Sequence, residues 1–319
     1  MQIPFHKIHG AGNDFVVFDN RQGSIKLSAE QVRVICDRHF GVGADGIIEV
    51  RTSPRSECLA YMHYCNADGS LAEMCGNGVR CFARFLVDIG APSGEEMASK
   101  SFTVDTLAGP RPLSFETDGG GRLTRASVIM GEPSFAPSAI PTTLSPTQEI
   151  VISNNKLGTQ SREQAVVQAV VAYDQGRLAI TCVNMGNPHA IAFLEYTDAQ
   201  AARALAQDPQ SIDLNTPGAF LEGNTDLFPQ KTNVELVTVS GPNRIRMRVY
   251  ERGVGETLAC GTGACAVAVA AIIHGEVERE APVLIDLPGG TLEATWLPDN
   301  QVLLTGPAKT AFTGILTID

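Results

Sequence analysis

Two short segments of the chain combine a cysteine with closely spaced glycines. Residues 75–78 read Cys-Gly-Asn-Gly and residues 260–263 read Cys-Gly-Thr-Gly; an apolar run follows each, and a glycine lies 15 residues after each cysteine. A cysteine that precedes a helix lies beside unpaired backbone N–H groups at the positive end of the helix dipole. That position stabilises a thiolate and offers a binding site for a carboxylate. Two such thiols, on opposite faces of one bound carbon, could move a proton from one face to the other.

The similarity between the two halves of the chain extends beyond these segments. A polar residue, Asn66 or Glu251, lies nine positions before each cysteine, and Gly12-Asn13 is echoed by Gly186-Asn187. The closing glycines, Gly90 and Gly275, match the position that follows a helix C-cap. This order indicates a duplication, in which each half carries one cysteine at a loop-to-helix junction.

The elements that must position these residues are of mixed α/β type. Alternating apolar and polar residues predict strands over 234–239, 244–250 and 281–287. A capping box at Ser28 predicts a helix to about Phe40, and residues 199–207 predict a surface helix. The polar, proline-rich stretch from Pro133 to Gln164 is interpreted as an extended connection or insertion outside the core.

Composition excludes several classes of function. The 319 residues carry 24 Lys+Arg against 35 Asp+Glu, a net charge of −11, so nucleic acid is not expected as a partner. No apolar stretch is long enough to span a membrane and no signal sequence is seen, which favours the cytoplasm. No cysteine pair has metal-binding spacing, so we expect no metal site. Six cysteines are predicted to be small buried side chains: Cys36, Cys58, Cys65, Cys81, Cys182 and Cys265.

The chain resembles the diaminopimelate epimerases, and the resemblance covers nearly its whole length. It rests on residues 9–15, 66–70, 75–81, 185–189, 251–257 and 259–263. It implies an α/β (α+β) fold of two pseudo-symmetric domains, each a mixed, mostly antiparallel sheet rolled around a central helix, with the active site in the cleft between them. The implied domains are 1–132 and 133–306, with 307–319 packing back on the first.

The resemblance also implies an activity and a site. The activity is the interconversion of LL-2,6- and meso-diaminopimelate, a lysine and peptidoglycan precursor, by a two-base thiolate/thiol mechanism in a cytoplasmic homodimer without pyridoxal phosphate or metal. Cys75 and Cys260 match the catalytic pair, and His189 and Glu251 match residues that assist them. The substrate-binding positions are Asn13, Asn66, Gly76, Asn77, Asn187, Asn233, Glu251, Arg252, Gly261 and Thr262. A guanidinium such as that of Arg252 suits capture of a distal carboxylate.

Two positions depart from the family pattern. Gly46 stands where some members carry a glutamine, so a substrate contact from that side chain is absent. Phe312 stands where a tyrosine is expected in a segment tied to dimer packing.

Other functions stay open from the sequence. A proline racemase or hydroxyproline epimerase would use the same cysteines, but its substrate has no distal carboxylate for Arg252 to bind. A thiol redox switch would explain the cysteines but not the repeated glycines or the asparagines. A binding protein that has lost catalysis would not need both cysteines.

Overall fold

The computed structural model describes residues 1–72, 75–196 and 214–318. The chain divides into two compact units, the first comprising Met1–Ile129 with Thr305–Asp319 and the second Met130–Leu304. The surface helix predicted over 199–207 lies outside the described residues. Within these ranges no helix is both long and apolar enough to cross a membrane.

Strands dominate the secondary structure. In chain order they are β1 (Gln2–Gly10), β2 (Asn13–Asp19), β3 (Gly46–Arg51), β4 (Tyr61–Asn66), β5 (Ser101–Val104), β6 (Arg111–Thr117), β7 (Leu123–Ile129), β8 (Gln148–Asn154), β9 (Thr159–Ala165), β10 (Ala169–Tyr173), β11 (Gly176–Asn184), β12 (Pro188–Phe193), β13 (Asn233–Gly241), β14 (Arg244–Glu251), β15 (Gly255–Thr257), β16 (Val283–Leu287), β17 (Gly290–Trp296), β18 (Val302–Pro307) and β19 (Lys309–Thr317). The helices are α1 (Ala29–Cys36), α2 (Gly76–Asp88), α3 (Gly94–Ser99), α4 (Asn215–Gly223) and α5 (Gly261–Ile273).

The sheet of the first unit has the strand order β19-β1-β2-β3-β4. Neighbours pair antiparallel except β2 and β3, which are parallel. Because β19 pairs with β1, the C-terminal segment packs on the first strand of the chain. Strands β5, β6 and β7 form a second antiparallel set in this unit.

The second unit repeats this topology. Strands β11 and β12 are antiparallel, β12 and β13 parallel, and β13 and β14 antiparallel, the sequence of pairings seen from β1 to β4. After the helix, β14 pairs parallel with β16, and in the first unit a single parallel bridge from Tyr61 to Asp105 takes that place. The predicted mixed, mostly antiparallel α/β architecture with two related halves is therefore confirmed.

Within the described residues each unit has one buried helix that begins directly after a cysteine. In α5 every residue from Gly263 to Ala271 is buried, since small apolar side chains on all faces let strands pack closely around it. It contacts β11, β12, β13, β16 and β17 within its unit, and α2 contacts β1 to β4, β7 and β19 in the other. The helix at the centre of each sheet thus places its first turn, and the cysteine before it, at a fixed position.

Both buried helices end as the sequence predicts. Gly90 and Gly275 adopt φ angles of 67° and 77°, which favour glycine. The N–H of each glycine and of the residue after it bond back to the last helical turn, as in a Schellman motif. The 15-residue spacing therefore marks the full length of each helix.

The helix predicted from Ser28 is shorter than expected. The capping box between Ser28 and Gln31 is present, but α1 ends at Cys36 rather than near Phe40. The side chain of Asp37 accepts hydrogen bonds from the N–H groups of His39 and Phe40. These local bonds compete with helical ones and end the helix there. The predicted strands lie in β13, β14 and β16, the last beginning at Val283 rather than Ala281.

The polar stretch from 133 to 164 is not a connection outside the core, as the sequence analysis supposed. Strands β8 and β9 form a hairpin in it, and Phe135 and Ile140 are almost fully buried. Ile140 belongs to a core cluster that also contains Leu178, Leu221 and Phe228. The few buried apolar residues of this stretch lie among prolines, serines and threonines. They could not be recognised in the sequence, because their spacing has neither a helical nor a strand period.

We predict that Ile140→Ala destabilises the protein by about 2–5 kcal/mol, because it opens a cavity in the core of the second unit. Leu157→Ala is the matched control, since Leu157 lies in the same stretch and is 71% exposed. Its free energy of unfolding should change by less than about 0.5 kcal/mol. Chemical denaturation of both variants measures the difference, and equal stabilities would show that the stretch lies outside the core.

Candidate active site

Cys75 and Cys260 occupy the same local structure in the two units. Each is the N-cap residue of its buried helix, with extended φ and ψ angles. The sulfur of Cys75 accepts a hydrogen bond from the N–H of Gly78 at 3.4 Å, and that of Cys260 accepts one from Gly263 at the same distance. The thiol therefore takes the capping role that serine or aspartate usually fills. The other N–H groups of each first turn, including those at Gly76 and Gly261, remain available to an anion.

Packing inside the protein requires the last glycine of the second motif and leaves little room beside that of the first. A Cβ atom on Gly263 would lie 2.8 Å from both Oε1 of Glu235 and Cε of Met247. On Gly78 it would lie 3.3 Å from Cβ of Cys75 and 3.5 Å from Cδ1 of Ile48. The neighbouring side chains of the protein, rather than a ligand, therefore limit the size of the residue at this position.

Amide side chains surround Cys75. The thiol donates to Oδ1 of Asn13 at 3.7 Å, and Nδ2 of Asn77 donates to the same oxygen at 3.2 Å. Arg80, which is fully buried, fixes Asn77 in turn by donating to its Oδ1 at 2.5 Å and to the carbonyl of Gly76 at 3.2 Å. The structure thus brings Cys75, Asn13 and Asn77 together, and Arg80 is a supporting residue that the sequence analysis did not single out.

A network of charged side chains holds Asn13 in place. Asn13 donates to Oδ2 of Asp45 at 2.7 Å, and Arg38 contacts both Asp45 and Asp14. Lys7 is buried and its ammonium lies 2.7 Å from Asp14. Burial opposes ionisation of Asp14, but hydrogen bonds from Arg38 and Lys7 outweigh it and lower its pKa to about 2. The turn that carries Asn13 is therefore held by ion pairs as well as by the sheet.

Asn66 ends β4 and has its own partners. Its Oδ1 accepts from the hydroxyl of Tyr64 at 2.7 Å, and its Nδ2 donates to Ser70 at 3.0 Å. Across the sheet Asn66 pairs with Gly46, where a Cβ atom would lie 2.5 Å from the carbonyl oxygen of Cys65. This close backbone approach explains why residue 46 of this chain is a glycine.

Carboxylates surround Cys260. Cys260 is only 5% exposed, and its sulfur lies 3.5 Å from Oγ1 of Thr262. Burial raises the pKa of Glu251, against hydrogen bonds from the Thr257 hydroxyl and the Cys260 thiol. Burial also raises the pKa of the Cys260 thiol well above its ordinary value, and the charges of Glu251 and Glu235 raise it further. The expectation that the helix end favours a thiolate is therefore wrong for Cys260, because desolvation and two carboxylates outweigh the capping bonds.

His189 forms a buried pair with Glu235. Both side chains are fully buried, and Nδ1 of His189 lies 2.6 Å from Oε1 of Glu235. On the other side of the ring, Nε2 lies 2.9 Å from Oδ1 of Asn187. The structure thus brings His189 and Asn187 together. The sequence analysis missed Glu235, although a charged residue inside the apolar strand 234–239 was a usable signal.

Asn233 and Arg252 are linked through the backbone. Asn233 is buried, donates to the carbonyl of Pro188 at 2.8 Å and accepts from the N–H of Arg252 at 3.0 Å. The guanidinium of Arg252 is exposed, with one contact of 3.4 Å to the carbonyl of Gln230. Its donors can reach solvent or an anionic ligand, as capture of a carboxylate requires.

No group of three or more His, Cys, Asp or Glu in the described ranges is arranged to hold a metal ion. The six other cysteines carry no disulfide, and five of them are buried, whereas Cys65 is only half-buried with its sulfur 3.7 Å from His63.

Comparison with known proteins agrees with the geometry. A family model described as diaminopimelate epimerase matches residues 5–136 and 181–311. A diaminopimelate epimerase of Synechocystis sp. is 40% identical over 316 residues, which is 98% of this chain and 99% of that protein. The chain belongs to the diaminopimelate epimerase family.

Further epimerase relatives and solved structures extend this result. The diaminopimelate epimerase of Leptospira biflexa is 38% identical, and the match covers 100% of both chains. The chloroplastic diaminopimelate epimerase of Oryza sativa subsp. japonica is 41% identical, and the match covers 98% of this chain and 79% of that protein. A hydroxyproline epimerase from Agrobacterium vitis shares the fold with a TM-score of 0.64 at 14% identity, covering 99% of this chain and 92% of that one. A probable proline racemase from Agrobacterium radiobacter shares the fold with a TM-score of 0.63 at 13% identity, and the match covers 99% of this chain and 93% of that one.

We predict that Asp14→Asn destabilises the protein at pH 7 by about 2 kcal/mol. The folded pKa of Asp14, about 2, lies below its ordinary value of 3.8. The stability that ionised Asp14 contributes is therefore complete above pH 3.8 and is lost as the pH falls through about 2. Unfolding measured from pH 7 to pH 2 should show the gap between wild type and variant closing at acid pH.

Asp174→Asn is the control, because Asp174 is exposed in the turn between β10 and β11. It should change stability by less than about 0.5 kcal/mol at every pH. A gap for Asp14→Asn that stays constant from pH 7 to pH 2 would contradict the ion-pair account.

Proposed function

We propose that this chain is an isomerase that interconverts LL- and meso-2,6-diaminopimelate by moving one α-proton, with Cys75 and Cys260 as the acid–base pair. The observation that carries the proposal is that both cysteines cap buried helices in the same way, in units of the same topology. Relatives about 40% identical over nearly the whole chain carry the name diaminopimelate epimerase. The reaction needs only proton transfer, so two thiols and an anion site suffice without metal or pyridoxal phosphate.

The first turns of the two helices supply the site for the carboxylate next to the reacting carbon. Backbone N–H groups at Gly76 and Asn77, and at Gly261 and Thr262, lie at positive helix ends. In the reaction the α-proton leaves as charge develops on the carboxylate, and N–H donors stabilise that charge. Each cysteine is therefore adjacent to donors that favour the carbanion-like state.

Glu251 is placed to control the proton of Cys260. The Cys260 thiol is protonated at rest, because burial and nearby carboxylates oppose the thiolate. In one direction the thiol gives its proton to the α-carbon. In the other the thiol first passes its proton to Glu251, whose pKa is raised by burial, and the resulting thiolate takes the α-proton. Cys75 performs the complementary step, and His189 is the second residue that the family resemblance assigns to assist the cysteines.

Arg252 and the asparagines select the substrate. The exposed guanidinium of Arg252, held at its backbone by Asn233, is proposed to bind the distal carboxylate. Asn13, Asn66 and Asn187 offer donors and acceptors that suit an amino group and a carboxylate together. A proline-type substrate lacks the distal carboxylate, so the proline racemase function is not favoured.

A thiol redox switch is also not favoured. Redox-active cysteines have lowered pKa values and are accessible, whereas Cys260 is buried and has a raised pKa.

The proposal includes the assembly and location that the family resemblance implies. We propose two epimerase domains whose boundary along the chain lies near residue 133. We also propose that the protein is a cytoplasmic homodimer that binds neither nucleic acid nor membrane. The net charge of −11 supports the absence of polyanionic partners. Phe312 and Ile315 on β19 are exposed apolar side chains, and burying them would favour association. Light scattering of the purified protein tests the dimer.

We predict that Cys75→Ala and Cys260→Ala each reduce epimerisation of diaminopimelate at least about 100-fold, since each removes the acid or base on one face. Cys65→Ala is the matched control and should keep its activity, because Cys65 has no place in the proposed site. Wild-type protein should act on diaminopimelate but not on proline or hydroxyproline. A folded Cys75→Ala or Cys260→Ala variant with more than a tenth of the wild-type rate would refute the assignment.

A further inference from the structure

The paired halves differ at two neighbouring buried positions, and the proposed reaction uses only one of them, His189. In the first unit Phe15 pairs with Gly46 across parallel strands, and Ile48 lies two residues further along β3. In the second unit His189 pairs with Asn233, and Glu235 lies two residues further along β13. His189 and Glu235 therefore stand at the register positions of an aromatic and an aliphatic residue.

The packing on the helices confirms this correspondence. Ile48 Cδ1 lies 3.5 Å from where a Cβ atom on Gly78 would be, and Glu235 Oε1 lies 2.8 Å from the same point on Gly263. Each side chain fills the space beside the third residue after its cysteine. A hydrophobic residue therefore serves the fold at this position in one unit, and a carboxylate replaces it in the other.

Stability by itself does not explain why this buried pair is present. Replacing a buried ion pair by apolar residues of similar volume is often neutral or stabilising. Glu235 is fully buried, and its Oε2 has no hydrogen-bond partner among the described residues. A carboxylate kept in such surroundings points to a role in the chemistry of its neighbours.

We propose that Glu235 is a positioning residue that holds the Nδ1 proton of His189 and so leaves Nε2 as the ring nitrogen that exchanges protons. The inference rests on the proposed function, in which His189 assists the pair of cysteines. An ionised carboxylate only accepts hydrogen bonds, so with Glu235 ionised the proton in its 2.6 Å contact with His189 lies on Nδ1. Nε2 then has a lone pair when the ring is neutral and a proton when it is charged.

The proton balance at the ring follows from this geometry. When Nε2 accepts a proton from a thiol, the ring becomes an imidazolium whose charge is compensated by Glu235. In that state Nε2–H donates to Oδ1 of Asn187 at 2.9 Å. Returning the proton to the thiolate restores the neutral ring, and Glu235 stays ionised throughout.

The same carboxylate also acts on the other half of the acid–base pair. Because Glu235 Oε1 packs against Gly263, its charge lies beside the first turn of α5, which Cys260 caps. The carboxylates that act on these groups are Glu235 from β13 and Glu251 from β14, and both oppose the Cys260 thiolate. Glu235 thus holds the Nδ1 proton of His189 and favours the protonated thiol of Cys260.

The first test is Glu235→Gln, which keeps the volume and removes the charge. In the titration of His189, followed by NMR and assigned with a His189→Gln spectrum, the ring should lose its proton at lower pH than in wild type, because the variant lacks the charge that compensates an imidazolium. The acidic limb of kcat/KM should move to lower pH, since the neutral ring persists further into acid. We expect kcat to fall roughly 10²–10⁴-fold with KM changed less than about twofold, because the amide can hold the wrong tautomer.

Glu49→Gln is the matched control, because Glu49 is a buried carboxylate on β3. Its partners Asn20 and Arg51 both lie in the first unit. It should leave kcat and the pH profile unchanged. An unchanged His189 titration and pH profile in Glu235→Gln would overturn the inference.

A second variant keeps the test decisive if Glu235→Gln folds poorly. The double change His189→Phe with Glu235→Ile installs the apolar pair of the first unit. It should unfold at a temperature no lower than wild type, yet lose at least about 100-fold in kcat. A folded double variant with wild-type kcat would refute the inference.

Failure of the inference and failure of the proposed function are distinguishable. If only the inference fails, wild type epimerises diaminopimelate, the cysteine variants are inactive and Glu235→Gln behaves as wild type. If the proposed function fails, wild type has no such activity, while the NMR titration of His189 still reports whether Glu235 holds its proton.

Discussion

The structure depends on one interaction that occurs twice, the cap that a cysteine sulfur provides at the start of a buried helix. The sulfurs of Cys75 and Cys260 accept the N–H of the third following residue at 3.4 Å. This bond fixes each thiol against a helix whose other first-turn N–H groups can hold an anion. The sheet around the helix, the Schellman ends at Gly90 and Gly275, and the lack of a Cβ beside the sulfur all serve to keep that turn in place.

Around this common element the two halves supply different chemistry. In the first unit neutral amides, Asn13 and Asn77, surround Cys75, and charges lie one layer further out. In the second unit Glu251 and the His189–Glu235 pair lie in the same buried region as Cys260. The two units share the same order of strand pairings, and a few buried positions give the second unit the titratable groups that the proposed proton transfer uses. A two-thiol proton transfer needs this asymmetry, because one thiol must be protonated when the other is not.

Much of this arrangement could be predicted from the sequence, and the failures have physical causes. The caps at Ser28, Gly90 and Gly275 were predictable, because local backbone rules decide them. The end of α1 was not, since the bonds that Asp37 makes to the next turn have no periodic signal. The hairpin β8–β9 was missed because few apolar anchors lie among polar residues, and burial of Ile140 depends on partners far along the chain. Glu235 was missed because its meaning comes from His189, 46 positions away.

The central claim is that two different thiols act on one carbon, and isotope transfer from solvent tests it most directly. LL-diaminopimelate is converted in D₂O, the reaction is stopped at low conversion, and both isomers are analysed by mass spectrometry. A thiol carries a single proton, so the base can return to the substrate only the proton it took, while the opposite thiol delivers a solvent deuteron. The account predicts one deuterium in the meso product and none in recovered LL substrate. Product that keeps the original proton, or recovered substrate that gains deuterium as fast as product forms, would contradict it.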